Sequence, residues 1–320
     1  MAGKRAGRDG FGQAMVELGE ENEKVVALCA DLAESVKVHY FAEKYPERYF
    51  QIGIAEQDMI GTAAGLALSR YIPFATTYAV FAAQRANEQI RLAVCYNRSN
   101  VKIAVSHAGL TTGEDGATHQ ALEDIASMRA MPNMTVLVPA DASEAYEATR
   151  AAAAYEGPVY LRLGRTPVPE LTNGVGQFEI GKARKMNNGK DVTLIACGIM
   201  VERAIEARDI LKEKGIEAEV INMHTIKPID EEAVVESVKK TGCVVTAEEH
   251  SVIGGLGGVV SEVLSEHSPV PLMRIGTQDT FGESGPPEEL LTKYGLTAEK
   301  IAEAAQNVIR KKKNTAMSTN

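Results

Sequence analysis

The sequence predicts an α/β protein of two doubly wound domains, the first with a mainly parallel sheet and the second smaller. Three observations carry this. Short apolar runs alternate with longer helix-like stretches along the chain, the pattern of parallel α/β layers. One segment rich in Pro, Gly and Asn interrupts the alternation near the middle. The 320 residues, 45% hydrophobic and 24% charged, have an ordinary globular composition with room for two such domains.

In the first half, strands are expected at 25–29, 49–52, 74–76, 101–106, 135–138 and 159–163. Helices fill the gaps at 10–20, 55–69, 82–96 and 143–154. The interruption, with Pro167, Pro169, Gly174, Gly176, Gly181, Asn187 and Asn188, marks a domain boundary. The expected division is a first domain over 1–170, a linker over 171–188 and a second domain over 189–320. The alternation then restarts. Strands are expected at 192–196, 219–222, 244–247 and 271–275, with helices at 201–214, 230–240 and 298–311.

A formal net charge of −9 argues against a nucleic-acid-binding surface as the main function. The basic run Arg310-Lys311-Lys312-Lys313 reads as a solvated tail. Cys29, Cys95, Cys197 and Cys243 lack metal-ligand or CxxC spacing, which fits reduced, buried thiols in a cytoplasmic protein. No apolar run follows the basic N-terminus and none reaches the ~18 residues of a membrane span, so neither a signal peptide nor membrane insertion is expected.

Chemistry concentrates in the first half. Gly53-Ile54-Ala55-Glu56-Gln57-Asp58-Met59 takes a short strand into a helix rich in small residues, with Glu56 in its first turn. Alone, such a carboxylate would be read as suiting the helix dipole. Tyr78 and Phe81 follow another strand, and alone they would be core aromatics. The segment from Ser106-His107-Ala108-Gly109 to Gly113-Glu114-Asp115-Gly116-Ala117-Thr118-His119-Gln120 places polar groups on a glycine-rich loop after a strand, where α/β proteins hold ligands.

Together these runs resemble the pyrimidine-binding domain of the thiamine-diphosphate enzymes of the transketolase family, and the second half resembles that family's C-terminal domain. The resemblance covers nearly the whole chain but only two of the family's three domains. It implies thiamine diphosphate as cofactor, with Glu56 as the acid that drives the aminopyrimidine to its imino tautomer. Tyr78 and Phe81 would pack on that ring, with Gln84 at a third place that is often aromatic, and Asp31 would join the cofactor site. Asp115 and His119 would meet the donor sugar's hydroxyls near the reacting carbon. Arg8, Ser35, His107 and Arg165 would hold the substrate phosphate, with Arg162 as the rival to Arg165; the planar fork of arginine suits that task.

The family's Gly-Asp-Gly and Asn-Asn motifs, which hold the metal and the diphosphate, are absent in the required context. The resemblance therefore implies the small subunit of a split transketolase. An N-terminal subunit would supply the diphosphate-binding domain and Mg2+ or Ca2+, in an α2β2 assembly. The small-residue face of Gly61, Ala63, Ala64, Gly65 and Ala67 would allow self-association. Glycines 254, 255, 257 and 258 lack the lysine of a P-loop and read as a strand-to-helix turn. The alternatives are the β subunit of a 2-oxoacid dehydrogenase E1 component, a subunit of a split 1-deoxyxylulose-5-phosphate synthase, and a non-catalytic scaffold.

Overall fold

All six strands expected in the first half form, as β1 (Val25–Cys29), β2 (Tyr49–Gln51), β3 (Ile72–Tyr78), β4 (Lys102–Ser106), β5 (Thr135–Leu137) and β6 (Val159–Arg162), in a computed structural model that describes residues 3–318. The second half adds β7 (Arg184–Asn187), β8 (Val192–Ala196), β9 (Ala218–Asn222), β10 (Thr225–Lys227), β11 (Val244–Ser251) and β12 (Leu272–Thr277). Every residue of β1, β4, β5, β6, β8 and β9 is buried. Helices cover both faces of a parallel sheet, so its central strands need apolar groups on both sides; this is why they read as continuous runs.

The strands form two sheets. The first has the order β10-β5-β6-β4-β3-β1-β2 and is parallel except for β10. The second has the order β12-β11-β8-β9-β7 and is parallel except for β7. Neither antiparallel edge strand was expected. β10 has three residues and belongs by sequence to the second half, yet it pairs with β5 of the first sheet. β7 lies at the end of the segment read as a linker. Its sequence, Arg-Lys-Met-Asn, has no apolar run, and it is fixed by polar contacts: Arg184 bonds Glu144 at 3.1 Å and Glu147 at 2.6 Å.

Helix ends follow capping chemistry. Asp141 accepts from the Glu144 amide at 2.9 Å to start Ala142–Ala154. Asp230 starts Glu231–Thr241, which ends at Gly242 with φ 69°. The helix expected at 82–96 is irregular, with π-helical turns at Phe81–Arg85 and Ile90–Tyr96 around Asn87–Gln89. Such wide turns recur at functional sites.

The two domains are tied by buried polar contacts. Arg162 of the first domain bonds Asp124 at 2.8 Å and the Glu249 carbonyl at 3.0 Å. Asn222 donates to both oxygens of Glu144 at 2.9 Å. Burial alone would raise the Asp124 carboxyl, but the Arg162 charge holds it below its ordinary value. All four cysteines are buried and free. Among the described residues no helix is long and apolar enough to cross a membrane.

Candidate functional site

Apart from Arg8, which lies in the helix Gly7–Glu21 ahead of β1, the expected site residues follow the carboxyl ends of adjacent strands. Asp31 and Ser35 come after β1, Glu56 after β2, Tyr78 and Phe81 at and after β3, His107 to His119 after β4, and Arg165 after β6. These five strands are neighbours in the order β6-β4-β3-β1-β2. The first-domain topology therefore gathers residues as far apart in sequence as Asp31 and Arg165 at one sheet edge, where open α/β sheets bind ligands.

Glu56 opens the helix Glu56–Leu68, and Gly53, with φ 83°, makes the turn into it. Its side chain is 1% exposed. Arg85 donates to Glu56 Oε2 at 2.8 Å and lies over the Phe81 ring, 4.8 Å from its centre. Sequence reasoning missed Arg85. The available signal was its place one turn beyond Phe81 on the same helical stretch, where the two side chains share a face.

Tyr78 and Phe81 stack at 5.8 Å, and Tyr78 stacks on His107 at 3.9 Å. His119 meets Phe81 edge-on at 5.3 Å and Tyr78 at 6.2 Å. The expected ring-packing pair and the two loop histidines thus form one cluster. Gln84 is exposed and donates to Glu123 at 3.1 Å. Asp31 and Asp115 are exposed. Asp31 has a φ of 59°, and its amide donates to the Gln51 side chain at 2.9 Å.

His107 has a φ of 57°, a left-handed conformation that costs a non-glycine residue on the order of 1–3 kcal/mol. Its surroundings hold it there. Ser106 Oγ lies 2.8 Å from His107 Nδ1, and Thr112 Oγ1 donates to the His107 carbonyl at 2.8 Å. Burial, reinforced by the charges of Arg8, Arg165 and His119, pushes the His107 imidazole down to about 3. It is neutral near pH 7, so positive charge in this corner comes from the arginines.

Arg8 donates to the Ser35 carbonyl at 2.8 Å, so Ser35 meets the clamp through its backbone. The buried Arg8 Nε has no protein partner. Burial and the charge of Arg165 hold Arg8 below the ordinary guanidinium value, while Asp9 opposes them. Arg165 donates to the Thr112 carbonyl and reaches Glu114 at 3.4 Å. Two like charges with a buried, unpartnered donor suit an anion. Arg162, the rival, is consumed by Asp124, Ala121 and Glu249.

The glycine-rich turn of the second domain has its phosphate place filled from within. Both oxygens of Glu248 accept from the amides of Leu256 and Gly257, at 2.7 and 2.8 Å, at the start of the helix Leu256–His267. Among the described residues no group of three or more His, Cys, Asp or Glu is placed to hold a metal ion.

Comparison with known proteins identifies the two halves of the chain. Residues 3–170 match the family model "Transketolase, pyrimidine binding domain" and residues 181–301 match "Transketolase, C-terminal domain". The chain is 48% identical over 307 residues to a protein of Methanocaldococcus jannaschii provisionally named as a transketolase C-terminal section, covering 95% of this chain and 96% of that one. It is 44% identical over 305 residues to a 6-deoxy-6-sulfo-D-fructose transketolase subunit of Clostridium sp. (strain MSTE9), covering 95% of each. Among solved structures it is similar to a "Split gene transketolase, inactive beta4 tetramer", with a TM-score of 0.90, 53% identity, and coverage of 95% of this chain and 98% of that one.

Proposed function

The chain belongs to the transketolase family, and on that basis we propose that it is the pyrimidine-binding and C-terminal half of a split, thiamine-diphosphate-dependent transketolase. The reaction transfers a two-carbon ketol unit from a ketose to an aldose. The observation that carries this reading is the convergence, at one sheet edge, of a buried carboxylate, an aromatic cluster and a pair of arginines.

The residues fit an aminopyrimidine. Glu56 is a shielded carboxylate beside the Tyr78 and Phe81 rings, and a flat heterocycle with a ring nitrogen needs both. When bound, thiamine diphosphate supplies a nucleophilic carbon and an electron sink. Glu56 would hold a proton at the pyrimidine ring nitrogen and so favour the imino tautomer. Tyr78 and Phe81 would orient the ring, with Asp31 and Gln84 at its margin. Asp115 and His119 would bind the donor's hydroxyls. Neutral His107 would offer a hydrogen bond, and Arg8 and Arg165 would hold the substrate's anionic end. That end is a phosphate or a sulfonate, because a guanidinium pair accepts either and one relative's name specifies a sulfonated sugar.

A partner subunit would bring the diphosphate-binding domain with Mg2+ or Ca2+, in an α2β2 assembly. This is supported by the two family domains found here and by the similar solved structure, a split-gene transketolase described as an inactive β4 tetramer. Self-association through the first domain is supported by the face of the helix Glu56–Leu68. Gly61 and Gly65 there border open space, with nothing within 4 Å of where a Cβ would stand, and Ile54 and Leu68 nearby are 76% and 74% exposed.

The test is Glu56→Gln in the complex reconstituted with the partner. Gln keeps the shape but cannot donate the acidic proton, so kcat should fall by about 10²–10⁴ with an unchanged circular dichroism spectrum. Wild-type turnover in this variant would contradict the reading.

A further inference from the structure

Glu249 is a carboxylate from the second domain that reaches into the first. It stands on β11, is 4% exposed, and accepts the Thr111 amide at 2.6 Å through Oε1. Its carbonyl is held by Arg162 at 3.0 Å, and Arg162 is locked on Asp124. The residue is therefore fixed at its backbone as well as at its side chain. The loop is shaped to receive it. Gly109 has a φ of 85°, and a Cβ there would lie 2.3 Å from the Glu249 carboxyl carbon.

The contact continues toward the anion clamp. Next to Thr111, Thr112 donates its hydroxyl to the strained His107 carbonyl at 2.8 Å and accepts Arg165 at its own carbonyl. One hydrogen-bonded path thus runs from the second domain through Thr111 and Thr112 to His107 and Arg165. Ketol transfer as described for the first-domain residues leaves Glu249 without a role.

We propose that Glu249 is a positioning residue of the substrate site, through which the second domain sets the loop that aims His107 and Arg165 at the anionic end of the sugar. The proposal rests on the transketolase reading for its substrate, and on the hydrogen-bond path for its mechanism. The second domain then takes part in substrate selection, in addition to packing against the first.

The experiment compares wild type, Glu249→Ala and Glu249→Gln in the reconstituted complex. Gln keeps an acceptor for the Thr111 amide and Ala does not. For Glu249→Ala the KM of a phosphorylated ketose donor should rise by up to about tenfold, the effect of losing one hydrogen bond that holds the loop. The KM of hydroxypyruvate, which leaves the clamp empty, and the kcat for both donors should change little. Glu249→Gln should restore most of the loss. Equal losses for both donors, or no loss, would overturn the proposal. Hydrogen exchange at the Thr111 amide reads the same contact without turnover. Protection should be lost in Glu249→Ala and kept in Glu249→Gln, and unchanged protection in both variants would overturn the proposal. If the wild-type complex transfers no ketol group while exchange behaves as described, the functional reading fails and the loop-setting role of Glu249 stands.

Discussion

At the carboxyl edge of the first sheet, side chains that follow neighbouring strands meet one another, Glu56 with Arg85 and Tyr78 with Phe81 and His107, and Arg8 from the first helix reaches the Ser35 carbonyl. At the carboxyl edge of the second sheet, Glu248 turns back and caps its own helix, while the adjacent Glu249 leaves the domain to bond Thr111. The two sheets share an architecture but differ in how their polar groups are satisfied. At the second edge Glu248 and Glu249 are both spent on amides of the chain itself. At the first, Arg8 Nε is buried without a partner and two like-charged arginines face one neutral imidazole. The same doubly wound architecture thus provides two edges, and what distinguishes the first is the gathering of aromatic rings, a buried carboxylate and two arginines at one place.

The largest effect expected from this contrast concerns the seam between the regions. Arg162→Ala leaves Asp124 buried and uncompensated, so the chain should lose about 3–5 kcal/mol of stability. Urea unfolding measures this, and a loss below about 1 kcal/mol would show that the buried pair behind the Arg162 contact to the Glu249 carbonyl does not hold the seam.

The second expectation concerns pH. Burial, opposed by Arg162, lifts the Glu249 carboxyl from its ordinary 4.5 to about 7. Between those values the folded chain keeps a proton that the unfolded chain has released. This contribution to stability is complete below pH 4.5 and is lost as the pH rises through about 7. His107 acts in the opposite sense, since its neutral form is favoured in the fold. Its contribution is complete above 6.5 and is lost as the pH falls from there toward about 3. The difference in unfolding free energy between wild type and Glu249→Gln should therefore move against wild type by up to about 3 kcal/mol from pH ~5 to ~8. A flat difference would contradict the raised carboxyl.

A third variant acts inside the first region alone. Arg165→Ala should raise the KM for a phosphorylated donor by about ten- to a hundredfold, with little change in kcat, because the contact is made equally in ground and transition states. Hydroxypyruvate is the control, and equal losses for both donors would make Arg165 structural. The smallest effect is expected at Gln84. It is exposed and bonded to Glu123, so Gln84→Ala should change thiamine diphosphate affinity in the complex by less than about tenfold, as calorimetry would show.

Much of this was legible in the sequence, for identifiable reasons. Strands buried on both faces show as apolar runs, so β1, β4, β6 and β8 were readable from composition alone. Glu56, Tyr78, Phe81, His107 and His119 could be picked out as candidates because they sit in local runs with glycine turns and family resemblance. The features that escaped depend on distant partners. β7 and β10 are short edge strands defined by what they pair with, and neither carries an apolar run. Arg85 had a local signal in its helical spacing from Phe81, but Glu56, 29 positions away, makes it informative. Glu249 lies 138 positions from Thr111, in a domain whose own sequence suggests only packing.

If this chain holds the cofactor-activating and anion-binding half of an active site that a second chain completes, turnover requires both chains. Ketol transfer from hydroxypyruvate should be measured with thiamine diphosphate and Mg2+ for this chain alone, for the diphosphate-binding partner alone, and for the two titrated together. Turnover is expected only in the mixture, rising with added chain to a plateau at equal numbers of the two subunits. Sustained turnover by this chain alone would contradict the shared site.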